Sequence, residues 1–533
     1  MVPVPPRPRR IAMLGVLACL LTLVPCGGGV QAANILRWAS QGDAMTLDPH
    51  AQNEGQTLTF LQQIYEPLIE RAPNLDKVPC LALSWRLVDP TTWEFKLRPN
   101  VRFHDGRPFT ADDVVFSFQR ALSPTSDMRE IIGSVAAVAA VDPLTVRIKT
   151  KGPDPILPDE VTNIYIMSHG WSAEHDVLKP QDTAAAQETF AVRHADGTGA
   201  FVLDLREPDV RTTWKRNPSW WGLQEYPHNL DGIVYVPVRN AATRVAALLS
   251  GELDFVLDPP LQDLPRLETA GSLVVQRAPE ARTIFLGMNE GEKELQSSAI
   301  KGRNPFADIR VRKAMNMAVD VNAIVRAIMR GQAVPAGNVI PPGAHGYDKA
   351  RDVHLPFDRE GAKALLAEAG YPDGFDVRLD CPNDRYINDE AICQAVVGML
   401  ARVGIKVTLD LKPRSLHFPK IQNNKTDFYM LGWLPDTYDA HNSLLFLASP
   451  HSIWNRTGFA DQRMFELIDA MAMETDGAKR DAEIAEASRL LRDGYSYIPL
   501  HHQMLAWVTR KGVQVPITPS NKPHFRYARF AVE

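Results

Sequence analysis

The side chains that could do chemistry in this chain are few and scattered. His501 and His502 stand side by side, with His417, His441 and His451 elsewhere. Two histidines can hold a metal ion, but adjacent residues of a strand point to opposite faces, so this pair cannot easily share one. Neither an HExxH nor a CxxC spacing occurs, and no metal site is expected. Hydrolysis is disfavoured in the same way. There is no GxSxG elbow, and isolated Asp, His and Ser residues are expected by chance in 533 residues. These residues lead to the expectation of no enzymatic activity, no catalytic residue and no cofactor. Cys381 ends a probable strand and Cys393 lies early in the helix that follows. A bridge between them would contribute about 3 kcal/mol through loop entropy; the alternative is two reduced, partly buried thiols. Cys80, in VPCLALSW, occupies a small-residue core position and reads as inert packing.

The elements that must position these groups are legible in places. Trp93, Phe95 and Leu97 alternate with Glu94 and Lys96, the period of a half-buried strand, and Val101 and Phe103 repeat the pattern in a second short strand. His104-Asp105-Gly106 supplies a turn. Thr110 can N-cap a helix, answered by Asp113, with Val114, Val115, Phe118 and Ala121 as its apolar face. Further on, Ile309, Val311, Ala314, Met315, Ala318, Ile324, Val325 and Ile328 suit one apolar face of a helix stopped by Gly331. Asp358 can cap a helix ending at Gly370, and Ile392 to Leu400 forms another before the strand Ile405–Leu409. Strand and helix patterns alternate throughout, so the class is α/β.

The N-terminus reads as an address. Arg7, Arg9 and Arg10 precede an apolar run from Ile11 to Pro25, too short for a membrane span, and Val30-Gln31-Ala32 gives small residues at a cleavage spacing. A signal peptide of residues 1–32 is expected, with export to the periplasm. Cys26 follows Pro25, an unfavourable context for acylation, so a lipid anchor is the lesser expectation. Loss of those three arginines makes the net charge of -5 more negative still. No strongly basic face appears, so nucleic acid is not an expected partner. Hydrophobic content of 45% and charged content of 23% are those of an ordinary globular protein, long enough for two or three cores.

Six segments, in order, resemble one family. They are IYEPLI (64–69) with its lead-in Leu47-Asp48-Pro49, LRPNVRFHDGRPFTADDVVFSF (97–118), GTGAFVLDLREPDVRTTWKRNPSWWG (197–222), the stretch 304–347, DFYMLGWLPDTYDAHNSL (427–444) and IPLHHQMLAWVTRKGV (498–513). Together they resemble the family 5 extracellular solute-binding proteins, the dipeptide, oligopeptide and nickel receptors of bacterial ABC importers. The pattern is most similar to the dipeptide-binding branch. The resemblance implies an α/β bilobal periplasmic-binding-protein fold with a two-strand hinge. It places one lobe at 33–72, 202–286 and 505–533, an inserted subdomain at 73–201, and the second lobe at 287–504.

The resemblance also implies a site. A receptor for zwitterionic peptides needs a fixed negative group for the ammonium and a fixed positive one for the carboxylate. Asp436, after Gly432-Trp433-Leu434-Pro435, falls on the family's ammonium-binding aspartate; a bland loop aspartate in an Asx turn is the alternative. The family usually continues to Asp-Pro, whereas this chain has Asp439-Ala440. Arg385, before Tyr386, matches the carboxylate-binding arginine of dipeptide receptors, its alternative being a surface pair with Asp384 or Asp389. Trp433, Tyr386 and Tyr438 are candidate walls, the alternative being core packing, and Asn289 could bond ligand backbone or merely satisfy the crossover. The resemblance thus implies a monomeric receptor that captures short peptides between closing lobes and delivers them to ABC permease subunits in the inner membrane. The alternative ligand is a non-peptide: an opine, a sugar-derived compound or chelated nickel.

Overall fold

A computed structural model describes residues 33–182 and 188–531. The expected signal peptide, residues 1–32, lies outside the described residues. Residues 34–533 gather into one compact unit. Its frame is an 11-stranded mixed sheet that runs through the whole unit because two long antiparallel strands, Leu273–Met288 and Tyr497–Arg510, belong to both of its halves. On one side, Phe255–Leu257 pairs with the far end of Tyr497–Arg510 and leads to Ile35–Ser40, Gly232–Pro237, Arg211–Arg216 and Phe201–Glu207. On the other, Phe428–Trp433 pairs with Thr283–Met288 and leads to Asp376–Pro382 and Lys406–Lys412.

Between the halves the ladder breaks. Pro279 pairs with Met504 and Thr283 with His502, so Glu280, Ala281 and Arg282 bulge opposite Gln503 alone. A bulge bends a strand and re-aims side chains, and this one stands where the two halves meet.

Each half has its own core. Trp38, Phe60, Trp214, Tyr235, Phe255 and Phe525 fill the first, with Trp38 and Tyr235 rings 4.5 Å apart. In the second, the long strand is apolar on both faces. Ile284, Leu286 and Met288 meet Val311, Met315, Ile392 and Val396, while Phe285 turns the other way onto Leu444, Tyr429 and Tyr497. A strand buried on both sides reads as a continuous apolar run and not as an alternation, hence TIFLGM.

A separate antiparallel sheet takes the order Ala82–Asp89, Thr92–Leu97, Thr145–Thr150, Val135–Asp142. Trp93 to Leu97 is a strand, as read, and Ala111–Ala121 is a helix in which Asp113 accepts the Thr110 amide at 2.9 Å. The second strand expected at Val101 and Phe103 is absent. That segment folds back in a tight turn with only an Arg102–Pro108 bridge, and Gly106 takes φ +93°. The helix expected through Ile328 is also interrupted. It ends at Ala318, and Asp320 caps a new turn by accepting the Ala323 amide at 2.8 Å. At the break the Met317 carbonyl accepts the amide of Asp358 at 3.0 Å.

Candidate functional site

The strands Lys406–Lys412, Asp376–Pro382 and Phe428–Trp433 are parallel. In such sheets ligands meet the loops at the C-terminal strand ends. Here those loops carry Arg385 and Asp436. Trp433 pairs with Thr283, the first residue after the bulge, so the loop bearing Asp436 leaves the sheet at the junction of the two halves. The loop is lashed to the opposite half. Asn163 donates through its side-chain amide to the Asp436 carbonyl (3.2 Å), and Arg71 donates to the Thr437 carbonyl (2.9 Å). Tyr438, at φ +53°, packs with Leu75 and Ala281 under the Arg71 guanidinium, 5.2 Å from its ring.

The Asp436 carboxylate is half-buried. Burial pushes its pKa up, against the pull of Lys522 and Arg282 and a hydrogen bond from Asn53. No cation stands within 4.0 Å of it among the described residues. It is a negative group at the junction with no direct ion-pair partner among the described residues.

Arg385 is equally unspent. The acids that would have made it a surface pair are otherwise engaged: Asp384 accepts the Arg414 amide (2.7 Å), and Asp389 accepts the amides of Arg385 and Tyr386 (2.9 and 3.0 Å). Among the described residues no carboxylate lies within 4.0 Å of the guanidinium. It stacks instead on Tyr386 and Phe418, 5.1 and 6.0 Å from their ring centroids. Burial and the nearby Arg282 pull its pKa below the ordinary guanidinium value.

Arg282 and Glu280 complete the middle of the site. They pair at 3.1 Å, and Gln503 donates to the second Glu280 oxygen at 2.5 Å. Sequence reading passed over both, although a charged Glu-Ala-Arg between two apolar strand segments was a visible signal. Lys522 was also missed. It belongs to a C-terminal segment with no periodicity, and reaches the site because the Ala281 amide donates to the Pro519 carbonyl at 2.8 Å.

Two expectations need correction. Asn289 is not near these loops. The long strand runs antiparallel to Phe428–Trp433, so Asn289 lies six residues beyond Thr283, about 20 Å from it at 3.3 Å per residue. It is spent on structure, donating its amide to the Asp427 carbonyl (2.7 Å) and its side-chain NH2 to the Thr426 carbonyl (3.3 Å). Tyr386 is core and not an open wall. Its hydroxyl accepts the Gly432 amide at 2.8 Å, and a Cβ on Gly432 would stand 2.7 Å from the tyrosine ring. It holds the Arg385 loop against the strand that leads to Asp436. Trp433 is half-buried, its indole N–H on Asn442 (3.0 Å) and its ring against Phe446 and Trp454.

His501 and His502 face apart. His502 bonds Asp352 at 2.7 Å and Thr283 at 2.9 Å, while His501 is buried with no hydrogen-bond partner for either nitrogen among the described residues. Burial and the charge of His502 hold the His501 pKa down at about 3, so it is neutral packing. Cys381 and Cys393 are joined by a disulfide, S–S 2.07 Å, and Cys80 is a free, buried thiol.

Residues 77–455 match the profile of the bacterial extracellular solute-binding proteins, family 5 Middle. The chain is 28% identical to the di/tripeptide-binding protein 2 of Pseudomonas aeruginosa UCBPP-PA14, over 87% of this chain and 89% of that one. It is 26% identical to the dipeptide-binding protein of Escherichia coli K12 (96% and 97%) and 27% identical to heme-binding protein A of Haemophilus influenzae (83% and 82%). Among solved structures, the binding protein AgaA of A. tumefaciens R10, in complex with agropinic acid, is 25% identical with a TM-score of 0.75 over 94% and 99% of the two chains. DppA of Helicobacter pylori, in complex with the peptide STSA, superposes with a TM-score of 0.78 at 23% identity over 94% and 98%. These likenesses establish the bilobal periplasmic-binding-protein fold for the sheet described above.

Proposed function

Because this chain belongs to the family 5 bacterial extracellular solute-binding proteins, we propose that it is the periplasmic receptor of an ABC importer and takes short, dipeptide-like peptides as its ligand. The observation that carries this reading is the pair of unspent charges at the junction of the lobes. Asp436 stands without a cation and Arg385 without a carboxylate, each on a loop at a parallel-strand end. A zwitterionic peptide supplies both partners, an ammonium for Asp436 and a carboxylate that Arg385 can grip with its planar fork. Trp433 and Tyr438 flank the Asp436 loop as walls.

Transport then needs no bond to be made or broken. A ligand that bridges both halves lowers the free energy of the closed form, and the permease reads that shape. The relatives support the peptide reading by their names, and the bulged Glu280–Arg282 crossover supplies the hinge. Among the described residues no helix is long and apolar enough to cross a membrane. We take the working unit to be a monomer without catalytic activity.

A second reading has its own observation. Asp439-Ala440 stands where the family usually has Asp-Pro, and the relative AgaA holds agropinic acid. An opine or another sugar-derived acid would use Arg385 without needing a free ammonium at Asp436.

The test is native mass spectrometry of the protein expressed in a periplasm and purified without refolding. Retained masses forming a dipeptide or tripeptide ladder, lost in Asp436→Ala, are expected. A single non-peptide mass, or peptides retained equally by that variant, would replace the peptide reading with the second one.

A further inference from the structure

Between the two halves, beside the Asp436 loop, lies a cavity whose walls include Glu70, Arg71, Asn163, Tyr438, Ser520 and Lys522. Lys522 has no partner in it. Among the described residues no carboxylate stands within 4.0 Å of the Lys522 ammonium, and the ammonium makes no hydrogen bond there. Asp436 and Glu70 attract Lys522 from farther off, and Glu70 is engaged elsewhere. One of its oxygens accepts the Arg71 amide at 2.8 Å, and the other faces Arg526 at 3.7 Å and His524 at 3.8 Å.

The chain goes to some length to hold Lys522 there. Asn521, at φ +56°, accepts the Trp507 indole N–H at 2.8 Å and donates to Asp258 at 3.0 Å. Thr518 donates to the Lys522 carbonyl at 3.1 Å, and Pro519 is tied to Ala281 of the bulge. A half-buried ammonium fixed by a rigid turn and left without a partner is a site for an anion.

The cavity's position says which anion. Tyr438 is both a wall of this cavity and two residues from Asp436, whose carbonyl is held by another wall, Asn163. A peptide whose ammonium sits on Asp436 therefore opens its first side chain toward Lys522. We propose that this cavity is the pocket for the ligand's N-terminal side chain and that Lys522 makes it selective for a carboxylate, so that the preferred ligands are short peptides beginning with an acidic residue. The assignment rests on the peptide reading and narrows it. Three unspent charges, Asp436, Arg385 and Lys522, then meet one ammonium and two carboxylates.

Calorimetric titration of the ligand-stripped protein with Glu-Ala, Gln-Ala, Ala-Glu and Ala-Gln tests it. Glu-Ala should bind at least tenfold tighter than Gln-Ala, while Ala-Glu gains less than twofold over Ala-Gln. Lys522→Met, which keeps the length and loses the charge, should bring Glu-Ala and Gln-Ala within twofold of each other. Equal binding of all four by the wild-type protein overturns the pocket but leaves the peptide reading standing. An acidic preference that survives Lys522→Met overturns the role of Lys522. Binding of none of the four overturns both readings. The wild-type series needs no variant, so a misfolded Lys522→Met would still leave the proposal open to refutation.

Discussion

Glu280 and Arg282 pair at 3.1 Å across a single residue, and that residue, Ala281, is the middle of the bulge where the two halves of the sheet meet. The pair is therefore built into the hinge itself. Gln503 fixes Glu280 from the opposite strand, and the charge of Glu280 helps keep Arg282 ionised despite its burial. Removing one partner of a buried pair leaves the other charge uncompensated. Glu280→Gln should lower the unfolding free energy by roughly 2–4 kcal/mol. It should also strengthen the hold on a ligand carboxylate, because Arg282 then adds an unbalanced positive charge beside Arg385. Denaturant unfolding with and without ligand measures both; unchanged stability would mean that the crossover does not depend on the pair.

The raised pKa of Asp436 gives binding a pH dependence of definite sign. Burial disfavours the carboxylate, so the ligand-free protein takes up a proton above the ordinary value of 3.8. A ligand ammonium binds the charged form, and its affinity must fall as pH drops toward that raised value. Asp436→Asn should cost roughly 2–4 kcal/mol of dipeptide binding at pH 7 and should flatten the profile below it. N-acetylation of the ligand should produce the same loss in the wild-type protein and little further loss in the variant. Calorimetry between pH 4.5 and 7.5 reads all of this.

How much of the fold and the site was legible in the chain depended on how local the cause was. The strand at Trp93 to Leu97 and the helix capped by Thr110 and Asp113 follow from neighbours a few residues apart, and they form as read. The helix through Ile309 ends at Ala318, where Asp320 caps a new turn and an amide 41 residues away bonds the Met317 carbonyl, and no apolar periodicity encodes that. Asp436 and Arg385 are candidates on their motifs, and both lie on loops at parallel-strand ends. Lys522 and the Glu280–Arg282 pair enter the site through contacts between segments more than 200 residues apart, which spacing along the chain cannot express. Asn289 fails for the converse reason. It follows the crossover closely along the chain, yet the bulge ends seven residues earlier.

Asp439, the residue after which the family's proline is missing, has a structural task. It caps the helix Ala440–Ala448 by accepting the His441 amide at 2.8 Å, and it receives both guanidinium nitrogens of Arg480 at 2.8 Å and His345 at 2.9 Å. Burial opposes its charge, but the bonds from His345 and Arg480 prevail and hold its pKa below the ordinary value of 3.8. The bond to Asp439 raises the His345 pKa above 6.5. The carboxylate's contribution to stability is present above pH 3.8 and lost as pH falls through its depressed value. The imidazole's is full below pH 6.5 and lost as pH rises through its raised value. The cluster thus stabilises most between these limits. The melting temperature of the wild-type protein should exceed that of His345→Gln by more at pH 5.5 than at pH 8.5, and an equal difference at both would deny the coupling.

Arg385 separates binding from folding better than any other residue of the site. Its guanidinium makes no ion pair and no hydrogen bond within the protein among the described residues, only the stacking on Tyr386 and Phe418. A group the protein does not use for itself can be removed at little cost to stability. Burial and Arg282 work against its charge, so the free protein even gains some relief when that charge goes. Arg385→Met should leave the unfolding free energy within about 1 kcal/mol of the wild-type value. The same change should weaken a dipeptide by roughly 2–4 kcal/mol and leave the binding of the corresponding dipeptide amide nearly unaltered, because the amide carries no carboxylate to lose. Arg385→Lys should recover only part of the affinity, since an ammonium cannot reproduce the two parallel bonds of the guanidinium fork. Calorimetry with the paired acid and amide ligands reads the carboxylate contact alone. Equal losses for acid and amide would assign Arg385 to the wall of the cleft and move the carboxylate anchor to Arg282.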